Sequence, residues 1–186
     1  MYLTKYLKIL AVLIIVVQSF CGKYVCAQDI KETTETVFFR TFGNDIEFTL
    51  KKYTLPEEFR NEIEKIVEQK FFGDFIYIYK ITKSDTTIAF GFLDNVYGKS
   101  LPITFLVILD KKGSIISTDI IKYREPYGGA VKNRNWNNQF FGLNSNSDYI
   151  VGENIVSISG ATISVNSVTK GIRKITILYE KIKSDL

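Results

Sequence analysis

Four consecutive residues near the C-terminus, Ser159-Gly160-Ala161-Thr162, combine the features that hold a phosphate. Gly160 admits close backbone approach, and the hydroxyls of Ser159, Thr162 and Ser164 converge. A helix starting there turns its first amides toward an anion. The same residues also suit plain helix capping, with Thr162 or Ser164 accepting from first-turn amides. A second group lies upstream, in Tyr123-Arg124-Glu125-Pro126-Tyr127-Gly128-Gly129 and Asn135-Trp136-Asn137-Asn138-Gln139-Phe140-Phe141-Gly142. Adjacent glycines beside Tyr127 and Trp136 suit a flat aromatic ligand approached by backbone amides. Equally, those aromatics could cap the core from a surface turn.

Other chemistry is excluded or unsupported. The 186 residues include no histidine, which removes a Ser-His-Asp triad, an HExxH zinc site and a His-ligated haem. Cys21 and Cys26 are too few for a Cys₄ cluster. Gly98-Lys99-Ser100 ends like a phosphate-binding P-loop, but Leu93 stands where the pattern needs glycine and Pro102 follows. A tight turn between strands is the expectation. Asp94, Asp110, Asp119 and Glu125 lie among strand-like runs without forming a recognisable carboxylate pair, and the first three read as turn or surface residues. Basic residues are spread evenly, and Lys interleaved with Phe and Tyr around 70–80 reads as core, so no nucleic-acid partner is expected.

The elements that must position these groups follow from periodicity. Residues 28–35 read as a polar, frayed lead-in, and VFFRTF and IEFTL, parted by Gly43-Asn44-Asp45, as a hairpin over Thr36–Leu50. Thr54-Leu55-Pro56-Glu57 has capping-box spacing ahead of Phe59, Ile63, Ile66 and Val67, an amphipathic helix over roughly 56–69. FIYIYKI, TTIAFGFL and PITFLVILD are strands, and Asp110-Lys111-Lys112-Gly113 turns the last into SIISTDIIKY. About 40 loop residues follow, with one short helix around Trp136–Phe141 and a strand-like NIVSI. Val165, Val168, Ile172, Ile175 and Tyr179 then mark a closing helix. The fold class is α+β: a single domain, mostly antiparallel sheet, with an early amphipathic helix and a C-terminal helix after the Ser-Gly-Ala-Thr loop.

The apolar run Ile9–Phe20 behind Lys5 and Lys8, then Val25-Cys26-Ala27, reads as a secretory signal over residues 1–27 or a membrane anchor. The protein is then exported, to a periplasm or cell surface, or tethered by that segment. Cleavage would remove Lys5, Lys8 and Lys23 and no acid, taking the net charge from +4 to +1 and both cysteines with it. Residues 28–85 form the N-terminal part of the domain and 86–186 its motif-bearing part.

In their order, YGKSLPITFLVILDKKGSI, REPYGG, WNNQFFG and SISGATISVNSV resemble the FMN-binding domain of the peripheral flavoprotein subunits of the Rnf and Na⁺-translocating NADH:quinone oxidoreductase complexes. The matching stretch runs from Thr86 to Glu180. The resemblance implies FMN as cofactor, esterified through its phosphate to Thr162 by an FAD:protein FMN transferase. Gly160 and Ala161 would give the tight approach, with Ser159 and Ser164 beside them and Glu125, Pro126, Tyr127 and Gly128 near the flavin. It also implies redox partner proteins, membrane-bound ones among them. Two residues depart from the family pattern. Val156 stands where an Asp usually precedes the modified Thr by six positions, and Glu-Thr-Pro-Gly is here Glu-Pro-Tyr-Gly-Gly. With no GxGxxG for a nicotinamide and no nucleophile-base pair, an electron carrier is expected before a turnover enzyme. The alternatives are a flavin-free binding or envelope protein on this fold, and a stand-alone flavin reductase.

Overall fold

Alternation of β-branched and aromatic residues between short turns builds one five-stranded sheet. A computed structural model of the protein describes residues 29–186. These fall into two compact units, one ending at Phe38 and one spanning Phe39–Leu186. The second is an α+β domain, and every motif lies in it. Its strands β1 (Glu47–Thr54), β2 (Phe75–Lys83), β3 (Thr86–Tyr97), β4 (Pro102–Asp110) and β5 (Ile115–Lys122) follow one another in an antiparallel meander.

Each connection has its local cause. Ser84 and Asp85 both take positive φ, +47° and +60°, which matches the twist of a two-residue hairpin. The Gly98 N–H closes the β3–β4 turn on the Leu101 carbonyl at 3.0 Å, as expected for Gly-Lys-Ser. At the β4–β5 turn Asp110 Oδ1 accepts from the Lys112 and Ser114 amides at 2.8 and 2.9 Å.

One sheet face carries Ile76, Ile78, Phe90, Phe92, Ile103, Phe105, Val107 and Leu109 into the main core. The closing helix α4 (Thr162–Ile182) lies on that core, and its expected stripe of Val165, Val168, Ile172, Ile175 and Tyr179 is buried. Tyr179 packs against Phe90 and Phe92, with ring centroids 5.8 and 6.0 Å apart. Helix α2 (Glu57–Val67) adds Ile63 to the same cluster. It starts without the expected capping box: Thr54 ends β1, Pro56 is the cap residue, and no side chain bonds the first amides. Glu57 and Glu58 complement the helix start instead.

Three further expectations are corrected. The lead-in and hairpin over 28–50 give way to a helix, α1, over residues 29–42. Ile30, Thr34, Val37, Phe38 and Thr41 recur at helical rather than alternating spacing, and Thr33, Thr34 and Thr36 return their hydroxyls to carbonyls four residues back. NIVSI is no strand beyond one isolated bridge between Val151 and Ile155, for reasons given below. Asp94 is no surface residue: it is buried on β3, with Oδ2 3.2 Å from the ammonium of fully buried Lys174 on α4. Asp110 and Asp119 keep their turn and surface roles, the latter in a 2.7 Å ion pair with Arg40. The 1–27 segment with its cysteines lies outside the described residues. Among the described residues no helix is long and apolar enough to cross a membrane.

Candidate functional site

The 39-residue stretch between β5 and α4 is folded onto the core rather than draped over it. It winds through a 3₁₀ turn (Gly129–Lys132), the one-turn helix α3 (Arg134–Asn137) and a second 3₁₀ turn (Asn138–Phe140). Trp136 and Phe140 meet edge to face with centroids 5.2 Å apart, and Phe140 stacks on Tyr149. These aromatics are core, which decides between the two readings of the loop for Trp136. Tyr127, 84% exposed, is free to meet a ligand.

Two side chains of this loop hold the approach to the Ser-Gly-Ala-Thr motif. Trp136 Nε1 donates to the Val156 carbonyl at 2.8 Å, and the Val156 amide donates to Gln139 Oε1 at 2.7 Å. Val156 thus has both backbone groups satisfied by side chains, and the Asn154 and Ile155 amides bond the Ile150 carbonyl, so none of these groups needs a sheet partner. From there Ile158–Ala161 form a turn closed by the Ala161 amide on the Ile158 carbonyl at 3.0 Å. Gly160 takes φ +76° in its third position, the place such turns reserve for glycine. A Cβ there would meet nothing within 4 Å, so the backbone stands open to a ligand.

Helix α4 then begins with its donors uncapped. Ala161 is the cap residue and no side chain bonds the first amides, so the capping reading of Thr162 and Ser164 does not hold. Thr162 is exposed, while the buried Ser164 hydroxyl lies 2.9 Å from Tyr123 Oη. Tyr123 Oη donates to the Tyr127 carbonyl, which leaves Ser164 as donor to Tyr123. One phenol thus ties the 123–128 loop to the first turn of α4. Gly128 fits under it with φ +79°: a Cβ would lie 2.8 Å from Tyr123 Oη and 2.9 Å from Ser164 Oγ.

Glu125 faces the other way, into the β3–β4 turn. Its Oε1 accepts from the Ser100 and Leu101 amides, the latter at 2.8 Å. Bonds from Leu101 first, then Ser100, and after them the Lys99 amide and charge hold its carboxyl below the ordinary range. The anion cradled by Gly-Lys-Ser is thus this chain's own carboxylate.

Between these braces lies an open cleft of about 280 Å³, lined by Lys99, Glu125, Tyr127, Gly128, Gly160, Ala161, Thr162, Ile163 and Ser164. The residues singled out in the sequence come together there, except Ser159 and Pro126, which do not line it. The roles of two functional residues escaped the sequence reading. Lys99 was set aside with the failed P-loop, although it sits in the same turn that opens YGKSLPITF. Tyr123 lies in the second motif group, but its tie to α4 depends on a contact 41 positions away. A larger depression of about 390 Å³ between residues 44–47 and 82–85 is lined by turn and strand-end residues and none of the site motifs. No cluster of acidic or sulfur ligands suited to a metal exists among the described residues.

The cleft's donor set is that of an anion anchor beside an aromatic lip: an exposed hydroxyl, uncapped helix amides, one ammonium and Tyr127. Compared with known families, residues 98–176 match the family model of the FMN-binding domain. No curated protein matches the chain.

Proposed function

This chain carries an FMN-binding domain, with FMN as its cofactor, and from that premise we propose an exported electron-transfer protein whose flavin is esterified to Thr162. The observation that carries this reading is the cleft itself. It presents the exposed Thr162 hydroxyl at the uncapped start of α4, in a lining shared with the open backbone of Gly160 and with Lys99. Those residues fit a flavin phosphate. The uncapped amides and Lys99 attract it, Gly160 admits it, and Tyr127 offers a ring face to the isoalloxazine. Attachment forms a bond between Thr162 Oγ1 and phosphorus and breaks the pyrophosphate bond of FAD, releasing AMP, with an FAD:protein FMN transferase as catalyst.

FMN supplies the one- and two-electron chemistry when bound. What the protein's residues do is hold. Ligand pockets usually enclose ~300–1,000 Å³, and a cleft of about 280 Å³ takes part of a flavin while leaving the rest reachable by a partner protein. That favours a relay over an enzyme that encloses a small substrate. Val156, where the family has Asp, has its side chain exposed and its backbone held by Trp136 and Gln139. The departure therefore alters a surface that the transferase would read and leaves the cleft intact.

Co-expression with an FMN transferase followed by intact-mass measurement tests the reading. One flavin phosphoester is expected on the native chain and on Thr162→Ser, and none on Thr162→Ala. An unmodified native chain refutes attachment, and a chain that binds no added FMN supports the flavin-free alternative. An N-terminus starting at Gln28 after export would support the secretory segment.

A further inference from the structure

We propose that Lys99 is the counter-charge for the flavin phosphate and makes the cleft prefer FMN to riboflavin. The inference rests on the FMN reading of this cleft and adds to it a residue that sets specificity. Lys99 is the cationic residue among those lining the cleft, and it makes no ion pair among the described residues. The neighbouring carboxylate, Glu125, takes its hydrogen bonds from the amides of Ser100 and Leu101, and the charge of Lys99 acts on it through space without forming an ion pair. The other nearby cation is spent elsewhere: Arg124 donates to the Pro102 carbonyl at 2.9 Å and to Thr104 Oγ1 at 3.0 Å.

The base of the Lys99 side chain is also fixed. The Gly98–Leu101 turn is closed by its own backbone bond, and a Cβ at Gly98 would lie 2.7 Å from Glu125 Oε1. Glu125 therefore fixes the turn from which the lysine emerges. A phosphate held at Thr162 carries at least one negative charge, and riboflavin differs from FMN only in lacking it. The charge of Lys99 thus acts on one flavin and not the other.

The test is fluorescence titration of FMN and of riboflavin into protein produced without a transferase, for the native chain, Lys99→Gln and Lys99→Arg. Lys99 is exposed, so the variants keep the fold. The native chain should bind FMN the more tightly. Lys99→Gln should weaken FMN by about two- to fivefold, as expected for an exposed charge pair. It should leave riboflavin unchanged and flatten the salt dependence, and Lys99→Arg should keep the preference. Lys99→Gln that still prefers FMN to the native extent overturns the role of Lys99 and leaves the FMN reading standing. A native chain that binds both flavins alike overturns the phosphate preference, and one that binds neither overturns the FMN reading itself.

Discussion

Removing either member of the buried Asp94–Lys174 pair should destabilise the fold strongly, and by unequal amounts. Lys174 is fully buried and Asp94 is 5% exposed, so neither charge can recover solvent. Losing one partner of such a pair costs ~3–5 kcal/mol, because the survivor is left charged in a poor solvent. The two survivors are not equally placed. In Asp94→Asn the ammonium keeps the Lys70 carbonyl at 3.2 Å and the face of Phe71 at 4.4 Å, which puts the loss near ~3 kcal/mol. In Lys174→Met the buried Oδ2 is left with no hydrogen-bond partner among the described residues, and the loss lies near ~5 kcal/mol.

Urea unfolding measures both values, and the corresponding midpoint shifts are about 6–20 °C at ~2–4 °C per kcal/mol. Replacing both, as Asp94→Leu with Lys174→Met, should recover most of the loss, because an apolar pair has no desolvation to offset. A cost below ~1 kcal/mol for Asp94→Asn, or a larger cost for Asp94→Asn than for Lys174→Met, would refute the reasoning. Lys174 lies about 18 Å along α4 from Thr162 at 1.5 Å per residue. Flavin attachment in the folded fraction should therefore be unchanged, which separates a structural role from one in the cleft.

Two further predictions concern the braces of the cleft. Glu125 has its folded pKa lowered, so its bracing of the β3–β4 turn is fully present above the unfolded value of ~4.3 and is lost as pH falls through the folded one. Amide protection at Ser100 and Leu101 should drop in that acid window, and Glu125→Gln should show reduced protection at neutral pH; unchanged protection in the variant would count against the brace. Gly128→Ala should cost ~2–4 kcal/mol, from the positive φ plus crowding against Tyr123 and Ser164. Gly142→Ala has the same φ of +79° and open space around its Cβ, so it should cost only the ~1–2 kcal/mol backbone share. Equal losses in unfolding experiments would show that Gly128 is not crowded.

What could be read from the residues is what burial writes into their period. The sheet and α4 were legible because burial shapes their composition: β3 and β4 are near-continuous apolar runs buried on both faces, and the 3–4 spacing from Val165 to Tyr179 marks the buried stripe of α4. The errors share a different cause, in that the deciding partner lies far along the chain or is an unexpected group. VFFRTF has strand composition, but its helix is set by the stripe from Ile30 to Thr41. NIVSI has strand composition as well, yet its backbone is held by Trp136 and Gln139. Asp94 carried no sign of burial because its partner is 80 positions away on the helix stripe. At the site, glycine and hydroxyl residues pointed to Gly160, Ala161, Thr162 and Ser164, which line one cleft, whereas the places of Lys99 and Tyr123 depend on how two loops meet.

The contrast between the two halves of the cleft bears on how it works. Thr162 is fixed from both sides: upstream, side chains pin Val156, and downstream, α4 is committed to the core along its whole buried stripe. The facing wall is a loop held by Tyr123 and by the Glu125 carboxylate on a turn. A ligand anchored at Thr162 is therefore attached to the start of a helix packed along the core, while the wall over it is a loop held by side-chain hydrogen bonds. Weakening that wall should alter how the flavin ring is packed without releasing it. Tyr123→Phe should accordingly leave the intact mass of the loaded protein unchanged and shift the absorbance and fluorescence of its flavin. Loss of the covalent flavin in Tyr123→Phe would show instead that the loop is part of the anchor.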